Sequence, residues 1–239
     1  MAVLVKICGL KTLEALDAAL AGGADLVGFV FFPPSPRHLA LDAGATLAAR
    51  VAGRARKVAL SVDADDATLA AIIDAVHPDL LQLHGAEPPA RVSALKQRFS
   101  LPVMKAIAVE TAADLGVVPA YASADWLIFD ARAPLSATRP GGLGRPFDWR
   151  LLKDQARGRP FMLSGGLDAE NVGEALRITG ARAVDVSSGV ERAPGEKDPE
   201  KIIAFIAAAR RAAVVESSDA GQEQGAEAPR STVSAVENQ

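Results

Sequence analysis

Short apolar runs rich in β-branched residues alternate with longer Ala/Leu-rich stretches from the start of the chain to about residue 211. The short runs have the length of strands buried on both faces, and the longer ones repeat their apolar positions at helical spacing. Strands are predicted near 3–8, 26–31, 56–62, 79–83, 101–106, 126–130, 160–164 and 183–187, each followed by a helical stretch. Such alternation is the pattern of repeated βα units and a parallel sheet. In the first unit Thr12 is the expected N-cap, Leu13, Leu16, Ala19 and Leu20 recur at helical spacing, and Gly22-Gly23 stops the helix. Asp63 to Asp66 cap the helix after the third strand, the helix after the fifth is expected to end near Tyr121, and one starts near Asp168.

Two connections break this rhythm. Residues 32–38 carry three prolines, which continue neither a helix nor a ladder, so the second strand is expected to run into a long, stiff loop. Residues 131–145 are polar and glycine-rich, and a loop of that length inside a compact domain is usually a functional lid or disordered. Asp148 is the expected N-cap where the chain returns, with Phe147 and Trp149 pinning the loop's end. From Ser217 onward Ser, Gly, Glu, Gln and Ala follow without periodicity, the composition of a disordered tail. One catalytic domain over 1–212 and a disordered polar tail over 213–239 are therefore expected. Eight βα units predict a closed (β/α)8 TIM barrel, while an open doubly wound sheet would more often carry GxGxxG after its first strand, and none is there.

Composition narrows the class. With 49% hydrophobic and 23% charged residues the 239-residue chain has material for a sizeable core, which excludes disorder of the whole. A net charge of −3 without a basic cluster argues against nucleic acid, and no apolar run is long enough to suggest a membrane span. A single cysteine forms no internal disulfide and no secretory leader is visible, so a cytoplasmic location is expected. The three histidines, at 38, 77 and 84, and the one cysteine show no metal-ligand spacing.

Candidate chemistry sits at strand ends, which in a barrel form one rim. Cys8 closes the first strand, and period-2 alternation puts Lys6 and Cys8 on one face, Val5 and Ile7 on the other. A buried free cysteine is more often a small core hydrophobe. At the lumen mouth, however, a thiol whose pKa is lowered by a cation or dipole can act as a general base. Asp130 closes the sixth strand with no helix directly after it to cap, and an apolar pocket that raised its pKa would make it a proton donor. Ser164-Gly165-Gly166 and Ser187-Ser188-Gly189 end strands seven and eight, where barrels commonly hold a phosphate. Arg37, on the proline-stiffened loop behind Phe29, Phe31 and Phe32, suits an aromatic carboxylate, with a solvated surface charge as the plainer reading. His84 is either a polar substrate contact or a satisfied rim histidine. Lys105 is expected inside the barrel, paired with a carboxylate such as Glu191 or Asp185, though a Schiff-base role as in aldolases is a rival.

Taken together, Val5-Lys6-Ile7-Cys8-Gly9, Gly28-Phe29-Val30-Phe31, Ser35-Pro36-Arg37, Gln82-Leu83-His84-Gly85, Gly141-Gly142-Leu143-Gly144 with Phe147-Asp148-Trp149, Ser164-Gly165-Gly166-Leu167 and the run from Val184 to Glu191 resemble the phosphoribosylanthranilate isomerases. The resemblance covers residues 3 to about 210 and leaves out the tail. It implies a cofactor-free Amadori rearrangement in tryptophan biosynthesis, with a small-molecule substrate, in a monomer or homodimer. It further implies Cys8 as base, Asp130 as acid and Arg37 as the anthranilate contact. By the same resemblance Gly165, Gly166, Ser187, Ser188 and Gly189 would cradle the phosphate, and His84 and Asp185 are separately expected to contact the substrate. His38, where relatives often carry an aromatic or other residue, is a mild departure. An aminoaldose isomerase of histidine biosynthesis, expected to use carboxylates on both sides, and a non-catalytic sugar-phosphate-binding barrel are the alternatives.

Overall fold

The computed structural model describes residues 3–134, 137, 140–141, 144, 146–155 and 160–223, with side chains to 213. Eight parallel strands, β1 (Leu4–Cys8), β2 (Leu26–Val30), β3 (Arg56–Ser61), β4 (Leu80–Leu83), β5 (Val103–Val109), β6 (Trp126–Ala131), β7 (Phe161–Leu163) and β8 (Ala183–Val186), close into a barrel in chain order. The last strand pairs back on the first, Lys6 opposite Asp185. The expected (β/α)8 barrel is the observed fold.

Alternation along the strands divides them between two cores. Val5, Ile7, Val27, Phe29, Leu81, Phe129, Phe161 and Val184 point outward into a large apolar cluster shared with the helices. Inside that layer Phe129 and Phe161 meet edge to face at 5.2 Å, a favoured aromatic geometry. Leu26, Val58, Leu80, Met104, Ile128, Met162 and Ala183 point inward and close the lower lumen, with Leu4 and Trp126 against them. Two residues further along the same faces the lumen turns polar, with Lys6, Gln82 and Asp185 all buried. The amino-terminal half of the barrel is thus a plug, and the carboxyl-terminal rim is left for chemistry.

The crossovers are α1 (Leu13–Ala21), α2 (Leu41–Val51), α3 (Asp66–Val76), α4 (Pro89–Phe99) and α5 (Val172–Thr179), followed by the terminal α6 (Pro199–Glu223). Thr12 caps α1 by accepting the Ala15 N–H at 3.2 Å, and Asp65 caps α3. The stretch after β5 does end at Tyr121, but it is a 3₁₀ segment, Ala112–Tyr121. Pro119 lies inside it, and proline lacks the N–H and the space that an α-helix interior requires. Between β6 and β7 the described residues likewise form a 3₁₀ turn, Trp149–Leu152, capped by Asp148 as expected. The helix expected near Asp168 begins at Val172, because the Asp168 carboxylate accepts the N–H groups of Glu170 and Asn171 and holds a turn ahead of it.

A small hairpin, β9 (Glu191–Ala193) with β10 (Glu196–Lys197), follows β8 and was not predicted. Helix α6 runs past the expected domain end at 212 to Glu223. The rest of the expected tail, 224–239, lies outside the described residues, as does much of the expected lid at 131–145. No helix among the described residues is long and apolar enough to cross a membrane.

Candidate active site

The strand ends open into a cavity of about 500 Å³ whose walls include Cys8, Val30, Phe32, Arg37, Leu60, Val62, Gln82, His84, Asp130 and Gly141. A second, more polar cavity of about 360 Å³ adjoins it and is lined by Gly144, Gly165, Gly166 and Ser188 among others. Asp130, Ser164, Asp185 and Ser187 border both, so the two form one bilobed space. One lobe has apolar walls and an arginine; the other has glycine backbone and serine hydroxyls.

Asp130 emerges from β6 only 5% exposed. Its Oδ1 accepts the Ala131 N–H at 2.9 Å, and its Oδ2 lies 3.2 Å from His84 Nε2. Behind the imidazole, Gln82 Nε2 stands 3.0 Å from His84 Nδ1. With the amide donating to Nδ1, Nε2 carries the ring proton and donates it to Asp130. Gly141 roofs this pair: a side chain there would bring its Cβ to 2.5 Å from both Asp130 Oδ2 and His84 Nε2.

Across the cavity Cys8 ends β1, 4% exposed. Ser187 donates its hydroxyl to the Cys8 carbonyl at 3.2 Å, tying the end of β1 to the turn after β8. Burial pushes the thiol above its ordinary value, and the Lys6 ammonium pulls the other way. Lys6 meets Asp185 Oδ1 at 2.8 Å, while Ser164 Oγ donates to Asp185 Oδ2 at 3.1 Å. Burial works against the charged lysine, yet the charges of Asp185 and Cys8 outweigh it and raise the Lys6 pKa.

Arg37 is held by a fork. Its Nε and Nη2 donate to the two carboxylate oxygens of Glu191 at 2.7 and 2.8 Å, both side chains being 4% exposed. A guanidinium clamped on that edge has its Nη1 end outside the fork, and Arg37 borders the first cavity. The arginine stem crosses Gly9, where an added Cβ would fall 2.5 Å from Arg37 Cδ and where φ is +77°, a conformation glycine adopts without strain. Lys197 Nζ joins the group, bonding Glu191 Oε1 and the Ser187 carbonyl, each at 2.8 Å. Burial pulls this ammonium down to about 8 against the attraction of Glu191. For Glu191 burial acts upward, but Arg37 and Lys197 prevail and hold its carboxyl below the usual range.

The sequence model of the family N-(5'phosphoribosyl)anthranilate (PRA) isomerase matches residues 5–208. The chain belongs to this isomerase family. Over 224 residues it is 63% identical to the N-(5'-phosphoribosyl)anthranilate isomerase of Bradyrhizobium diazoefficiens, an overlap of 93% of this chain and 98% of the relative. Its fold matches the crystal structure of phosphoribosyl anthranilate isomerase from Thermotoga maritima with a TM-score of 0.79 at 35% identity, covering 87% of this chain and 99% of that one. A second crystal structure of such an isomerase, in complex with reduced 1-(o-carboxyphenylamino)-1-deoxyribulose 5-phosphate, matches with a TM-score of 0.76 at 32% identity and the same coverage. The isomerase is thus an enzyme of tryptophan biosynthesis.

Against this background the expected site residues sort cleanly. Cys8, Arg37, His84, Asp130, Asp185 and Ser187 line the first lobe of the isomerase, and Gly165, Gly166 and Ser188 the second. Gly189 lines neither; a Cβ on it would come within 1.9 Å of the Leu167 carbonyl, so its bare backbone lets the turns after β7 and β8 pack together. Lys105 is not in the lumen: Met104 and Ala106 point inward, so Lys105 points out. Neither Glu191 nor Asp185 is its partner; it bonds Glu87 at 2.9 Å and the Gly85 carbonyl at 2.7 Å, with its ammonium over the Tyr121 ring. A Schiff base with a ligand in the cavity is therefore out of its reach. Glu191 and Lys197 as the clamp of Arg37 escaped the sequence reading, although Pro194-Gly195 is a turn signal for the hairpin that delivers them.

Proposed function

We propose that the rearrangement of N-(5-phosphoribosyl)anthranilate runs between Cys8 and Asp130, with the anthranilate in the apolar lobe and the phosphate in the glycine-lined one. The observation that carries this reading is that the only cysteine of the chain and the acid ending β6 face one cavity from separate strands. Arg37 meets the anthranilate carboxylate with the end of its guanidinium that Glu191 leaves free. Backbone N–H groups at Gly165 and Gly166 and the hydroxyl of Ser188 hold the phosphate, with Gly189 keeping its turn closed. Asp185, which borders both lobes, and His84, on the wall of the first, contact the sugar.

In the first step Asp130 gives a proton to the ribose ring oxygen, and the bond from that oxygen to C1′ breaks to leave an iminium with the anthranilate nitrogen. The hydrogen bond from His84 favours the carboxylate that remains, so it strengthens as the proton leaves. The Cys8 thiolate next removes the C2′ proton, and the electron pair moves toward the iminium to give an enolamine. Tautomerisation yields the 1-amino-2-ketose without a redox cofactor. A small phosphorylated metabolite is the partner, with no nucleic acid or membrane involved, and the enzyme acts in the cytoplasm as a monomer or homodimer.

Substrate generated in situ and followed by its fluorescence tests the roles. Cys8→Ser and Asp130→Asn should each lower kcat by about 10² to 10⁴, the usual worth of a general base or acid, while the thermal transition stays near that of the parent. Near-normal kcat in Cys8→Ser refutes the base; a loss confined to KM in Asp130→Asn makes that residue a binder rather than a donor.

A further inference from the structure

Lys6 is a buried cation that the steps above leave unused. It stands two residues before Cys8 on the lumen face of β1, is fully buried, and is salt-bridged to Asp185. The adjoining strand shows where ammonium and thiol come together. Cys8 pairs with Gly28 of β2, and a Cβ placed on Gly28 would stand 3.0 Å from Cys8 Sγ and 3.2 Å from Lys6 Nζ. The bare glycine thus leaves a gap flanked by sulfur on one side and ammonium on the other.

We propose that Lys6, clamped by Asp185, is the positioning residue that eases ionisation of the Cys8 sulfur against the burial that opposes it. The surroundings otherwise oppose an anion: Val30 and Leu60 cluster with Cys8, and Phe32 packs on them. Of the groups that face the thiol, burial acts most strongly against ionisation and Lys6 most strongly for it. Asp185 on β8 opposes ionisation and Lys197 on β10 favours it, each less than Lys6. Arg37, His84 and Asp130 line the remainder of the same cavity, and β2 and β3 offer only uncharged side chains there. Lys6 transfers no proton. Ionisation sends the thiol proton to solvent, the thiolate then takes the C2′ proton, and Lys6 and Asp185 keep their charges throughout.

This rests on Cys8 as the base, so the test reads the thiol apart from turnover. Cys8 is the only cysteine, and the pH dependence of its alkylation by iodoacetamide reports its ionisation in the full-length enzyme. Lys6→Met should move the alkylation midpoint up by about one pH unit or more, the effect expected for losing an opposite charge at close range. Should that variant fail to fold, Lys6→Met/Asp185→Asn leaves no lone buried charge and should still move the midpoint up, by a smaller interval. In Lys6→Met the acid limb of kcat/KM should follow the alkylation midpoint. An unchanged midpoint in both variants overturns the proposal. A midpoint that moves while the acid limb stays in place supports the coupling of Lys6 to Cys8 and overturns Cys8 as the base.

Discussion

Replacing Glu191 by glutamine tests whether the hairpin after β8 exists to aim Arg37. The carboxylate balances two buried cations, Arg37 through a fork at 2.7 and 2.8 Å and Lys197 at 2.8 Å. Removing one partner of a buried pair costs about 3–5 kcal/mol, because the charge left behind has lost its solvation and its counter-ion. Lys197 limits the damage. With its pKa already down to about 8, it can shed its proton at neutral pH for about 1–2 kcal/mol, which leaves the arginine as the only stranded charge.

A net loss of about 3 kcal/mol is expected, within the roughly 5–15 kcal/mol that a domain holds, so Glu191→Gln should fold and its Tm should fall by about 6–12 °C. On the proposed function, the guanidinium, no longer held in a plane, would meet the anthranilate carboxylate in a poorer geometry. Losing part of one charge-assisted contact, about 1.5–2 kcal/mol, should raise KM by about tenfold to thirtyfold. Cys8 and Asp130 do not touch Glu191, so kcat should stay within about threefold. Calorimetry and steady-state kinetics on the same preparation decide the matter. A KM within twofold of the parent alongside a lowered Tm would refute the aiming role and leave Glu191 a purely structural counter-ion.

The depressed Lys197 pKa carries a sign. Between about 8 and the unfolded value near 10.4 the unfolded chain binds more protons than the folded one, so this group's contribution to stability rises with pH across that window. Urea titrations of the parent and Lys197→Met should show the stability difference moving in the parent's favour by about 2–3 kcal/mol from pH 7 to pH 10, and a flat difference would contradict the burial of a charged Lys197. Gly141→Ala would drive a methyl group into the Asp130–His84 contact from 2.5 Å on either side. Its kcat should drop at least about tenfold with little change in urea midpoint, since the residue sits on the rim above the core; full activity would show that the roof gives way.

The order of the strands, the two faces of β1 and the residues at the strands' carboxyl ends are legible in the sequence. Period-2 alternation alone put Lys6 and Cys8 on the lumen side of β1 and Val5 and Ile7 outside, where the structure has them. That holds because in a closed parallel barrel both faces are buried, and each residue's side is set by its parity along the strand. The expected lumen position of Lys105 breaks the same rule: with Met104 and Ala106 in the lumen, the residue between them points out.

Pairing is another matter. A strand pattern says that a charged side chain will be buried but not which opposite charge will reach it, because the partner comes from a different part of the chain. Lys105 finds Glu87 on the loop after β4, Lys6 finds Asp185 across the seam that closes the barrel, and Arg37 finds Glu191 on a hairpin far along the chain. The sequence therefore determined the barrel and the thiol and acid on its rim, since these follow from local periodicity and strand length. Only the closed structure decided which buried ions meet, because barrel closure sets those distances and burial leaves each charge no solvent to turn to.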